Sequence, residues 1–167
     1  KMVIHNPLPT SATIKAKSKV TGLVDKGADK GALILTERTL KDAESGLDLA
    51  TLTSTTFARG NGGYDGPSDE APRPHKVPER EPDFAVDLTT LDMAALIYRL
   101  SGDYNPLHAS PSVAKAAGFP KPILHGLCSL GVAGHAILKG CCDYDAKRLK
   151  SLQLRFSSPV YPGETVR

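Results

Sequence analysis

Gly126-Leu127-Cys128-Ser129-Leu130-Gly131-Val132-Ala133-Gly134-His135-Ala136-Ile137-Leu138-Lys139 is the stretch on which the architecture turns. It reads as a helix over 126–139, stopped by Gly140. Gly131 and Gly134 lie inside that helix, and Gly126 opens it. Each interior glycine weakens a helix by about 0.8–1 kcal/mol relative to alanine. Something has to offset the loss, and a backbone that must come close to a sheet is the expected reason.

The sheet is legible upstream. Ile14, Ala16, Ser18 and Val20 alternate with Lys15, Lys17 and Lys19, a period of two that predicts a strand with one face in a core and one in water. Asp25-Lys26-Gly27 and Asp29-Lys30-Gly31 signal turns, and further strands follow over 32–40 and 47–58. No helical period separates the three runs, and short links without a crossover helix imply antiparallel pairing. Nine of the residues 59–82 are Gly or Pro, which predicts a linker over 59–86. Arg59-Gly60-Asn61-Gly62-Gly63 is no phosphate loop, since it lacks the Walker Lys-Ser/Thr and a following helix. An antiparallel sheet wrapped around a glycine-bearing helix is an α+β arrangement with the geometry of a hotdog fold.

Composition narrows the function. The 167 residues are 40% hydrophobic and 23% charged, an ordinary globular balance that excludes wholesale disorder. No apolar run approaches the roughly 18 residues of a membrane helix, so no membrane partner is expected. A net charge of +3 is too small to argue for nucleic acid, and the lysines of 15–19 read as a wet strand face. Three cysteines, two of them adjacent (Cys141 and Cys142), suit a reducing compartment rather than a disulfide framework.

The second half changes period. A helix is expected over 89–100, with Thr89 as N-cap and Asp92 as its capping-box partner, and Gly102 as the stop. A short helix over 112–117 ends at Gly118, and Leu152, Leu154 and Phe156 alternate as a strand. Pro162-Gly163 makes a turn, and a strand begins at Thr165. Between the first two helices lies Ser101-Gly102-Asp103-Tyr104-Asn105-Pro106-Leu107-His108. Asp103 and His108 are an acid and a base usable near neutral pH, and Asn105 offers both a donor and an acceptor. Alone this octapeptide is ambiguous, because Asp and Asn after a helix also build Asx-turns. His125 and Cys128, three apart, and Cys141-Cys142 further on fit no usual zinc spacing, so no metal is expected. His5, His75 and His135 read as structural or exposed.

The run Gly118-Phe119-Pro120-Lys121-Pro122-Ile123-Leu124-His125-Gly126-Leu127 adds weight to the octapeptide. The stretch from Tyr98 to Gly134 resembles the R-specific 2-enoyl-CoA hydratases, or MaoC-like dehydratases. Their signature of an aromatic, an aliphatic, Ser, then Gly-Asp-x-Asn-Pro-aliphatic-His is matched throughout 98–108. Asn6-Pro7-Leu8-Pro9, Val24-Asp25-Lys26-Gly27 and Ser158-Pro159-Val160-Tyr161-Pro162-Gly163 are similar to the hydratase domain of the peroxisomal multifunctional enzymes of type 2.

The resemblance implies a double hotdog. Residues 1–58 would belong to an N-terminal half that shapes the acyl pocket, and 87–167 to a catalytic half. The chain reads as truncated at both ends: the first half shows no central helix, and the second stops as a strand begins. The implied activity is reversible hydration of trans-2-enoyl-CoA to (R)-3-hydroxyacyl-CoA, with Asp103, Asn105 and His108 catalytic. Gly126 would hold the thioester oxygen through its backbone N–H, and no cofactor would be needed. The alternatives are a hydratase or dehydratase of another thioester, branched or short, and an acyl-CoA-binding module without turnover. Intact Asp103, Asn105 and His108 argue against the last. The resemblance also implies a homodimer, cytoplasmic in a bacterium and peroxisomal in a eukaryote. It transfers no CoA-contacting residue: where relatives carry basic side chains, this chain has Gly66-Pro67-Ser68-Asp69, and Arg59, Arg73 and Lys76 are only nearby candidates.

Overall fold

A computed structural model describes residues 1–68, 72–73 and 75–167; Asp69, Glu70, Ala71 and Pro74, in the stretch expected to be a linker, lie outside the described residues. The strands are β1 (Met2–Ile4), β2 (Ile14–Asp25), β3 (Ala32–Asp42), β4 (Asp48–Ala58), β5 (Leu88–Thr89), β6 (Ser151–Leu152) and β7 (Thr165–Val166). The α-helices are α1 (Ala94–Tyr98), α2 (Pro111–Ala116) and α3 (Gly126–Cys141). The chain forms two compact units, Lys1–Pro78 with Leu149–Gln153, and Glu79–Arg148 with Leu154–Arg167.

The first unit is a five-stranded antiparallel sheet in the order β2-β3-β4-β1-β6. The three expected strands pair as expected, Ala16 opposite Leu40 and Leu40 opposite Ala50. Gly27, Gly31 and Gly46 turn the chain with positive φ. The expected core face of β2 is not covered, however: Ile14 and Val20 are exposed, and along this strand full burial is confined to Val24 and Asp25. β2 is the edge of the sheet, and the segment just after β4 folds back only onto that far end. Asp25 holds it there. Its carboxylate accepts the N–H groups of Gly27 (2.8 Å), Gly63 (2.8 Å) and Gly66 (3.4 Å), and its own N–H donates to the Pro67 carbonyl. Those backbone donors hold the Asp25 carboxyl below the usual carboxylate range. A side chain at Gly62 would run into the carbonyls of Gly27 and Gly31, so this close approach requires glycine. The buried apolar residues of the unit lie in two places, Val24 and Ala32 at one end of the sheet and Leu49 and Ala50 at the other.

In the second unit the expected capping box does not form. Thr89 lies in β5, opposite Thr165 of β7, with their hydroxyls 2.9 Å apart. The buried Thr90 hydroxyl donates to the Glu164 carbonyl and accepts the Gly163 N–H. Pairing with a segment some 75 residues away takes these threonines from the helix, which starts only at Ala94 behind Met93 as an uncapped N-cap. Gly102 (φ +105°) and Gly118 (φ +88°) end their helical segments in the left-handed region, as read from sequence.

α3 runs past Gly140 to Cys141. Of its two interior glycines, Gly134 is buried and Gly131 is not. Among the described residues outside its own helical turns, a Cβ on Gly131 would meet nothing within 4 Å, whereas one on Gly126 would come within 3.1 Å of the Phe156 ring, and one on Gly140 within 2.7 Å of Phe84. The glycines at the ends of α3 therefore admit neighbouring side chains, and Gly131 does not. The strand expected through Phe156 stops at Leu152, because among the described residues only Ser151 and Leu152 of this run find a strand partner, on β1. Phe156 instead lies against α3. No helix among the described residues is long and apolar enough to cross a membrane.

Candidate active site

The octapeptide 101–108 builds its own shape before it meets anything distant. After Gly102 the chain makes two successive Asx-turns: the Asn105 N–H donates to Asp103 Oδ1 (3.2 Å), and the Leu107 N–H to Asn105 Oδ1 (3.0 Å). The second turn caps a short 3₁₀ turn over Pro106–His108, with Pro106 supplying the restricted φ at its first position. Asn105 thus spends its oxygen on the backbone, and among the described residues its Nδ2 amide has no partner. Both turns leave Asp103 and Asn105 exposed.

The tertiary structure then brings the acid and the base together. Asp103, His108 and His125 each present a polar atom within 4.8 Å of the other two. His108 Nδ1 donates to the Ile123 carbonyl at 2.8 Å. A carbonyl can only accept, so the neutral ring carries its hydrogen on Nδ1 and leaves a bare lone pair on Nε2. That is the tautomer a general base requires. His125 is 1% exposed. Its Nε2 donates to the Asp103 carbonyl at 3.2 Å, its ring stacks on His108 with centroids 3.8 Å apart, and Tyr98 packs at 4.8 Å.

Reading the sequence did not single out His125 as part of this site. Its spacing from Cys128 suggests only a metal ligand, and Cys128 does not join Asp103, His108 and His125. The available signal was its place directly before Gly126, at the N-terminus of α3. Burial pushes the Cys128 thiol up, away from the reactive thiolate.

Three potential ligands invite a metal reading, and the ring geometry opposes it. An imidazole binds metal along a lone pair in its own plane. Two rings stacked at 3.8 Å with 28° between their planes send those lone pairs alongside each other, not to one point. One nitrogen on each ring is also already committed to a carbonyl.

Gly126 is the first residue of α3, preceded by His125 in an extended conformation (φ −60°, ψ 136°). Its N–H belongs to the helical turn that has no intrahelical acceptor, at the positive end of the helix dipole. An open groove of about 500 Å³ lies in the first unit, lined by Lys26, Lys30, Arg59, Asp29, Phe57 and Gly60. It contains Arg59, one of the three basic candidates, and none of the acid–base residues.

A family profile described as MaoC-like domain matches residues 74–167, and one described as MFE-2 hydratase 2 N-terminal domain matches residues 1–60. The chain is 43% identical over 164 residues to 3-hydroxyacyl-thioester dehydratase Y of Mycobacterium tuberculosis, covering 98% of this chain and 57% of that protein. It is 42% identical over 172 residues to the peroxisomal enoyl-CoA hydratase 2 of Arabidopsis thaliana, covering 98% and 55%. The crystal structure of a MaoC-like dehydratase from Phytophthora capsici superposes with a TM-score of 0.89 at 46% identity, over 98% of this chain and 57% of that one. A Mycobacterium tuberculosis protein described as a double hotdog matches at 15% identity with a TM-score of 0.54, over 98% of this chain and 58% of that one, a likeness of fold alone. The architecture is that of a double hotdog. The chain spans a little over half the length of these two curated relatives.

Proposed function

This chain belongs to the MaoC-like dehydratase family, and on that premise we propose that it carries the acid–base site of a hydro-lyase adding water reversibly to a trans-2-enoyl-CoA, giving the (R)-3-hydroxyacyl-CoA. The observation that carries the proposal is the meeting of Asp103 and His108, with His108 held in the tautomer whose Nε2 is free to take a proton.

The chemistry follows from the charges that move. The oxygen of water bonds to Cβ, one proton of that water passes to the Asp103–His108 pair, and the Cα=Cβ electrons shift to make an enolate on the thioester. The pair then returns a proton to Cα, so the dyad ends as it began. General acid–base help of this kind is worth about 10²–10⁴-fold. The Gly126 N–H meets the developing oxyanion, a donor worth about 2.7–4 kcal/mol. The Asn105 amide orients the water. Every proton is supplied by water and the two side chains, so the reaction needs no metal or redox cofactor.

The remaining assignments belong to the same proposal. Residues 1–58 contribute the acyl-pocket side, 59–86 link the halves, and 87–167 supply the chemistry. The working form is a homodimer, cytoplasmic in a bacterial host and peroxisomal in a eukaryotic one. A second reading, elimination from another 3-hydroxyacyl thioester, is favoured by the likeness to the mycobacterial 3-hydroxyacyl-thioester dehydratase and uses the same residues in reverse.

The test is to mix the protein with crotonyl-CoA and follow loss of the enoyl thioester absorbance, then repeat with Asp103→Asn and His108→Gln. Turnover that falls by about 10²-fold or more in both folded variants is the expected result. Near-normal turnover in either removes the assignment of that residue. Tight binding of crotonyl-CoA by a wild-type protein that never turns it over would leave an acyl-CoA-binding module instead.

A further inference from the structure

The cluster around Asp103 and His108 contains one imidazole that the proposed chemistry does not use. We infer that His125 is a positioning residue, which sets the distance between Asp103 and His108 by gripping the backbone of one and the ring of the other; the inference rests on the hydration reading above.

Three observations converge on it. First, the loop from Asp103 to Asn105 is exposed and held locally by Asx-turns, and the His125 Nε2–H···O=C bond is, among the described residues, what ties the Asp103 backbone to a distant segment. Second, His108 is held at two points, an edge on the Ile123 carbonyl and a face on the His125 ring. Ile123 and His125 are two residues apart, so one short extended segment anchors both members of the dyad and then runs directly into Gly126. Third, His125 is almost wholly buried, and among the described residues its Nδ1 has no hydrogen-bond partner. A buried ring nitrogen left unpaired is unfavourable, and an apolar aromatic would fill the site without that cost. Retaining a histidine there makes sense only if its other nitrogen is needed.

Two variants separate the two grips. His125→Phe keeps a flat ring for His108 and loses the donor to Asp103. His125→Gln keeps an N–H donor and loses the ring. A misplacement of about 1 Å in such a site costs on the order of 10²-fold. The expected result for His125→Phe is therefore a drop of about that size in kcat for crotonyl-CoA with KM little changed. Amide hydrogen exchange at Asn105, whose N–H reports the Asp103 turn, should also be faster. His125→Gln should restore slow exchange at Asn105 and recover part of kcat.

A folded His125→Phe protein with wild-type kcat and wild-type exchange at Asn105 would overturn the inference. If the phenylalanine variant does not fold, the glutamine variant decides. Slow exchange with kcat reduced less than in His108→Gln supports positioning, and fast exchange with its donor present refutes it. A wild-type protein inactive on crotonyl-CoA would count against the hydration reading, while the exchange comparison would still decide what His125 holds.

Discussion

Replacing Gly126 by proline would delete one N–H from the first turn of α3 while disturbing little else, which makes it the sharpest probe of the oxyanion assignment. Proline is favoured at the first helical position, where its missing N–H has no intrahelical acceptor and its fixed φ suits the helix. The residue before a proline must be extended, and His125 already is, at φ −60° and ψ 136°. The chain builds α2 in this way, with Pro111 following an extended Ser110. The new side chain has one evident neighbour, since a Cβ here lies 3.1 Å from Cε1 and Cζ of Phe156 and 3.4 Å from Cε2. That ring is 58% exposed and can move by the few tenths of an ångström required.

Gly126→Ala is the matched control, because it introduces the same Cβ and keeps the N–H. Crowding opposes the gain of up to about 1 kcal/mol for alanine over glycine in a helix, so its stability should stay within about 1 kcal/mol of wild type. If the N–H holds the thioester oxygen, the step from alanine to proline should cost about 10²–10³-fold in kcat, or about 2.7–4 kcal/mol of barrier. The assay is steady-state hydration of crotonyl-CoA by both variants, with a urea melt of each. Two folded variants whose kcat values agree within about threefold, under 1 kcal/mol, would refute the role given to Gly126.

Two further perturbations test the scaffold. Because its backbone donors lower the Asp25 pKa in the folded state, Asp25 contributes stability that is fully present above its unfolded pKa of about 3.9 and is lost as pH falls through the lower folded value. Asp25→Asn should therefore have a lower urea midpoint than wild type at neutral pH, with the gap closing below about pH 4; a gap independent of pH would show that the charge is not what holds residues 63–67. Leu49→Ala removes one of the most deeply buried apolar side chains, 1% exposed, and should lower unfolding free energy by about 2–5 kcal/mol without changing the denaturant slope. A loss below about 1 kcal/mol would mean that the site collapses or that Leu49 is not core.

The legible parts were those in which neighbours along the chain decide the conformation. Alternation and turn residues placed β2, β3 and β4 and their antiparallel pairing to within a few residues, because a hairpin's register follows from its own turn. Gly102 and Gly118 were read correctly as stops, since the left-handed conformation is a property of one residue. β1 escaped notice, because three residues are too few to display a period. Thr89 is a good local N-cap in the sequence, but in the fold it pairs with a distant partner, Thr165. The closeness of Asp103 to His108 is partly local, with two Asx-turns and Pro106 compacting the loop between them.

From order and composition alone one learns which residues can do chemistry here, an acid, an amide and a base within six positions, and which glycines turn the chain. Those properties belong to single side chains and their immediate neighbours. Folding in three dimensions supplied the rest: that Ile123 selects the His108 tautomer from 15 residues away, and that His125 reaches the Asp103 carbonyl across 22. A strand at Ser151 completes the sheet that begins at Met2. Such contacts depend on which distant backbone groups remain unclaimed after every nearer pairing has been made, and that competition is settled by the whole fold.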